Sequence, residues 1–155
     1  MGAAERAPVV RELEIAARPE TVWGFLVDAD KAARWWGVTV EIDPRVGGLL
    51  RVLVTSGRTA LGELLEVDPP RRLVYTWGWE PTGDPVVDQV PPGSSTVELD
   101  LVPSAGGTLL RMVHSGLPTV EQEEAHAMGW LHYLGRLAVA AAGGDPGPDP
   151  WRRSE

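Results

Sequence analysis

The chain has no cysteine among its 155 residues. That absence removes disulfides, thiolate nucleophiles and cysteine-based zinc sites, and with them a small secreted scaffold held by bridges. Positive charge is scarce as well: 14 Lys and Arg face 22 Asp and Glu, a formal net charge of −8. Such a chain repels a duplex or an anionic membrane surface, so neither nucleic acid nor a membrane is an expected partner. No apolar run approaches the roughly 20 residues of a membrane span. The segment Met1 to Glu20 carries Glu5, Arg6, Arg11, Glu12 and Glu14 and lacks the apolar stretch of a signal peptide, so the cytoplasm is the expected address. Catalytic signatures are missing too, with no G-x-S-x-G elbow, no P-loop and no H-E-x-x-H. His126 and His132 stand six apart in a helical stretch and therefore on different faces. No catalytic residue, metal site or cofactor is predicted, and no enzymatic step is assigned.

What is present is enough apolar material, 43% of residues, for one ordinary core. From Val9 to Ala17, Leu13 and Ile15 alternate with Glu12 and Glu14, the period of a strand with one wet face. Pro19 then sits where a helix favours its first residue, and Val22, Trp23, Leu26 and Val27 follow at helical spacing to about Asp28. Asp30 is expected to cap a second short helix, Lys31 to Trp36, ended by Gly37. Period-2 rows return at Val38, Val40 and Ile42, at Leu50, Val52 and Val54, at Leu73, Tyr75, Trp77 and Trp79, at Val97, Leu99 and Leu101, and at Leu110, Met112 and His114. Thr59 to Val67 reads as a further strand whose faces its alternation does not assign. The stretch Pro81 to Ser95, rich in Pro and Gly, predicts a long exposed loop. Thr119 and Gln122 form a capping box, and Ala127, Trp130, Leu131, Leu134, Leu137, Ala138 and Ala141 recur at three- and four-residue spacing up to Gly143-Gly144. The result is an α+β chain: one strand, two short helices, a meander of strands and one long C-terminal helix. A single helix covers only part of such a sheet, so an antiparallel sheet curved around it is expected, leaving a space between them that suits a ligand. Residues 145–155 are Pro, Gly and charge with one Trp151, and predict a disordered tail after a single domain, 1–144.

This order of elements carries Val22-Trp23, Trp35-Trp36, Val46-Gly47-Gly48, Gly62-Glu63, Asp68-Pro69-Pro70, Tyr75-Thr76-Trp77, Gly107-Thr108, His114-Ser115-Gly116 and Gly129-Trp130. Together they resemble the SRPBCC (START-like, helix-grip) superfamily, and within it the homologues of the activator of heat-shock-protein ATPase, from about Val10 to Ala142. The resemblance implies a helix-grip fold. It implies three functions in order: binding of a small hydrophobic or aromatic molecule, a co-chaperone-like role in stress response with a chaperone as partner, and a polyketide cyclase-like enzyme. A homodimer is compatible with it.

For the ligand-binding function, Trp77, His114 and Trp130 are the leading candidates for the lining, joined by Tyr75, Trp79 and Trp36. His114 shares a strand face with Leu110 and Met112 and is expected to point into the concave interior, where an imidazole suits a polar ligand group. A hydrogen-bonded core histidine is the competing expectation. Trp77, Trp79 and Tyr75 fit an aromatic wall or plain core packing equally, and Trp36 and Trp130 are favoured as core anchors. Glu63 and Glu66 are candidate acid-base groups, weighed against an exposed strand face.

Overall fold

The computed structural model describes residues 7–151. One antiparallel sheet of seven strands holds the molecule together. In chain order the elements are β1 (Val9–Ile15), α1 (Pro19–Val27), α2 (Ala29–Ala32), β2 (Thr39–Ile42), β3 (Leu49–Thr55), β4 (Arg58–Asp68), β5 (Arg72–Trp79), β6 (Ser95–Ser104), β7 (Gly107–Ser115) and α3 (Val120–Ala141). The sheet order is β1-β7-β6-β5-β4-β3-β2. From β2 to β7 the chain is a simple meander, but β1 and β2, neighbours in sequence, lie at opposite edges. The short helices α1 and α2 carry the chain between those edges, and α3 packs its buried face, including Trp130, Leu134 and Leu137, into the core they share with the sheet. This is the α+β helix-grip arrangement expected from the alternating strands and the long helix.

Local chemistry sets several boundaries differently from the sequence pattern. Asp28, not Asp30, caps α2: its carboxylate accepts from the Asp30 and Lys31 amides at 3.0 and 3.2 Å. The cap falls two residues early because Asp28 already has the extended backbone that an N-cap needs. The second helix therefore ends at Ala32, and Trp35 and Trp36 leave it on a turn. Gly37 follows with φ +74°, and a Cβ there would sit 2.6 Å from the Leu53 carbonyl oxygen. The faces of β4 resisted assignment because its pairing with β5 shifts between Leu64 and Glu66. A bulge of this kind moves a strand's inward set by one residue, which erases a clean period of two.

The stretch expected as a long exposed loop is partly folded inward. A 3₁₀ turn at Val87–Gln89 buries Val87, and Val90 is fully buried. The Asp88 carboxylate binds the Thr82 and Gly83 amides at 2.9 and 3.1 Å, and Trp79 donates its amide to Val90 at 2.7 Å. The loop lies directly on β5 because Gly78 has no side chain there: a Cβ would stand 2.0 Å from the Pro91 carbonyl oxygen.

The segment after α3 also departs from expectation. Residues 145–151, expected to be disordered, lie along α3, while residues 152–155 fall outside the described residues. Arg136 donates to the carbonyls of Pro146 and Gly147 at 3.3 and 2.9 Å. Asp149 is buried, accepts from the Tyr133 hydroxyl at 2.7 Å and pairs with His132 Nε2 at 2.8 Å. Burial works against its carboxylate, but bonds from Tyr133, the Trp151 amide and His132 outweigh that and hold its pKa below the usual range. Trp151 stacks on His132 with ring centroids 4.0 Å apart. Composition hid this because a few directed polar contacts, rather than an apolar period, fix the segment. A chain ending at Gly144 is expected to lose about 1 to 2 kcal/mol, or roughly 3 to 8 °C in Tm, in a thermal unfolding comparison with the full chain.

Candidate functional site

A cavity of about 650 Å³, partly open to solvent, lies between α3, the β3-β4 turn, β5 and the 81–90 loop. Its aromatic lining comes from Trp36, Trp77, Trp79, Trp130, Tyr133 and Trp151. Three different elements position the first four. Trp36 follows α2 and is stacked between Trp35 and Trp77, with centroids at 4.9 and 5.8 Å and planes within 7° of parallel. Trp77 and Trp79 share one face of β5, so their rings meet edge to face at 5.4 Å. Trp130 comes from α3 and tilts against Trp77 at 5.7 Å.

Two histidines sit among these rings, and the indole N–H groups fix their tautomers. Trp130 Nε1 donates to His114 Nδ1 at 2.9 Å. An indole only donates, so the proton of His114 is on Nε2. That N–H meets Ser95 Oγ at 2.9 Å, and the hydroxyl passes its own hydrogen to the Trp77 carbonyl at 2.8 Å. His126 shows the mirror arrangement: Trp79 Nε1 donates to its Nε2 at 3.1 Å, and its Nδ1–H donates to the Gln122 carbonyl at 2.8 Å. The two imidazoles are 5.3 Å apart and perpendicular. Burial, and then the neighbouring His126, lower the His114 pKa to about 3. For His126 burial lowers the pKa, the Gln122 bond partly opposes this, and Arg58 adds to the lowering. All four ring nitrogens are therefore spent on structure with both rings neutral.

The pH consequence has a definite sign. The unfolded chain protonates these histidines near pH 6.5 and the folded chain does not, so the stability they contribute is complete above about pH 6.5 and falls as pH drops toward 3. Melting temperature is expected to decline between about pH 6.5 and pH 4, and a His114→Gln variant to start lower but lose less over that window.

Of the residues singled out from sequence, the structure brings Trp36, Trp77, Trp79 and Trp130 to the cavity wall. His114 does not reach it: it is fully buried behind Trp77 and Trp130, in the hydrogen-bonded core position that was its competing expectation. Tyr75 is likewise buried in the core against Trp36 and Trp77, where desolvation raises its pKa. Glu63 and Glu66 are exposed on β4, away from the cavity. Sequence reasoning did not select Gln122, His126 and Arg58, which line the cavity. A signal existed for two of them, since Gln122, His126, Trp130 and Leu134 recur every four residues and share the buried face of α3. Leu131, placed in that stripe by spacing, points outward at 64% exposure, because the inward set is polar at one end and hydrophobicity alone misplaces it.

The model of the Activator of Hsp90 ATPase homolog 1-like proteins matches residues 16–142. The chain belongs to the AHSA1-like family. An AHSA1-like protein from Rhizobium etli, solved by NMR in solution, is 48% identical to it, with a TM-score of 0.73 over 98% of this chain and 96% of that one. DynU16, from the dynemicin biosynthetic locus, is 25% identical with a TM-score of 0.80, covering 95% of this chain and 51% of that one. An Aha1 dimer from Colwellia psychrerythraea shares the fold at 18% identity, with a TM-score of 0.71 over 90% of this chain and 98% of that one. No curated protein matches this AHSA1-like chain. Among its described residues no helix is long and apolar enough to cross a membrane.

Proposed function

We propose that the protein binds a small hydrophobic or aromatic molecule in the cavity between α3, β5 and the 81–90 loop. The observation that carries this reading is the cavity itself, about 650 Å³ with tryptophans on several sides, within the range of small-molecule sites. Planar rings stack favourably on indole faces, and a pocket already lined by rigid rings loses little side-chain entropy when a ligand enters. Binding is favoured over acid-base chemistry because both imidazoles near the cavity have every nitrogen engaged within the protein. A ring in that state has neither a free lone pair nor a free proton for a substrate. Native mass spectrometry of the gently purified protein is the test, followed by calorimetric titration with a naphthalene probe. One-to-one binding that quenches tryptophan emission is expected, and no binding up to the probe's solubility limit would count against the cavity.

The co-chaperone reading implied by the family's name has one supporting feature. Val120, Met128, Leu131 and Val139 are exposed apolar residues of α3, a surface of the kind that protein partners cover. Stimulation of a chaperone ATPase by the purified chain, abolished by Leu131→Glu, would favour that reading over ligand binding.

A further inference from the structure

Among the described residues, Arg58 is the one Lys or Arg that lines the cavity. Arg58 opens β4 just after the β3-β4 turn and lines the cavity beside Ser56 and Gly57. It is exposed, and no carboxylate or other partner holds it among the described residues. The contrast with other arginines of this acidic chain is informative. Arg72 binds Glu66, Glu98 and Asp100 at once, Arg51 lies between Glu41 and Glu80, and Arg111 pairs with Glu12. None of the described acidic residues forms an ion pair with the Arg58 guanidinium. Asp84, the acidic residue of the lining, has an oxygen committed to the Val86 amide at 2.9 Å and forms no ion pair with Arg58.

A second observation lies deeper. Trp77 is 4% exposed, its ring forms part of the cavity wall, and its indole N–H is buried with no acceptor among the described residues. A buried donor without a partner is costly, and most such groups in folded proteins are paired. Trp79 and Trp130 follow that rule, each donating to a histidine. Trp77 alone of these three keeps its N–H unmatched, while its ring faces the cavity. The cavity lining therefore offers one charged donor without an acceptor, Arg58, beside an aromatic wall.

We infer that the molecule bound in this cavity is an aromatic or apolar acid: a ring system held among the tryptophans, with a carboxylate or similar anionic acceptor paired to Arg58. The guanidinium suits this because its planar fork matches a carboxylate in two parallel bonds. The inference rests on the ligand-binding reading above and gives it a charge.

Three probes of one ring system separate the possibilities: 2-naphthoate, its neutral methyl ester and the cationic 2-naphthylmethylammonium, each titrated calorimetrically into the full chain. Naphthoate is expected to bind about fivefold or more tighter than the ester, a preference that weakens as salt is added, and the ammonium weakest. Arg58→Gln should bring naphthoate and ester to about equal affinity, and Arg58→Glu should reverse the order. Both substitutions are at an exposed position, so folding is retained, and an unchanged melting temperature checks it. Equal binding of acid and ester to the parent, or an acid preference that survives Arg58→Gln, overturns the inference and leaves the cavity reading standing. Failure of all three probes to bind the parent overturns the cavity reading itself.

Discussion

Trp130→Ala is expected to destabilise the protein by about 3 to 5 kcal/mol, the upper range for loss of a large buried aromatic. Two terms add. The ring is 4% exposed and meets Trp36, Trp77 and His114, so its removal opens a hole that those rigid neighbours cannot collapse into. The second term is polar: without the indole N–H, His114 Nδ1 loses its donor. Trp130→Phe separates the terms, because it keeps most of the ring and removes only the donor, and it is expected to cost about 1 to 3 kcal/mol. That variant should also raise the His114 pKa, since a free Nδ1 can take a proton that Trp130 now blocks. Chemical denaturation gives the energies, and NMR titration of the imidazole gives the pKa. A Phe variant as stable as the parent would show that the Trp130 to His114 bond contributes nothing net.

Gly78→Ala is expected to cost about 2 to 4 kcal/mol although it adds one methyl group. The methyl would occupy space 2.0 Å from the Pro91 oxygen, and both groups are backbone-bound and cannot swing aside. The loop must lift, and the Trp79 to Val90 bond lengthens with it. Gly135→Ala is the opposite case: nothing lies within 4 Å of the added carbon on the outer face of α3, so the gain in helix propensity should stabilise by about 0.5 to 1 kcal/mol. Opposite signs in two Gly→Ala changes, read from unfolding midpoints, separate close backbone approach from general flexibility. Limited proteolysis should cut the 81–94 segment faster in the Gly78 variant, and equal cutting rates would show that the loop is not held by this contact.

The strands and the long helix were legible because their periods are properties of consecutive residues. Val38, Val40 and Ile42, or Leu110, Met112 and His114, announce a face without reference to anything distant. The site was legible in part for the same reason: Trp77 and Trp79 share a strand face, and their partner Trp130 is on the helix that must cover it. Three features were not legible. The β4 bulge is fixed by pairing with β5, which no local pattern encodes. The role of His126 depends on Trp79, far away in sequence, and a histidine is counted as polar until its partner is known. The 145–151 segment is held by Asp149 reaching Tyr133 and His132, contacts that low apolar content conceals.

The placement of β1 and β2 at opposite edges of the sheet constrains the order in which the chain can assemble. Val9 pairs with His114 and Ile15 with Thr108, so β1, made before the other six strands of this sheet, has no partner until β7 has been made. Meanwhile β2 to β6 can add one to the next as each hairpin emerges. Non-local closures of this kind carry the largest loop entropy and come late in folding. During synthesis β1 is thus an unpaired edge with Ile15 uncovered, and the charged Arg11, Glu12 and Glu14 between its apolar residues guard it against pairing with a neighbouring chain.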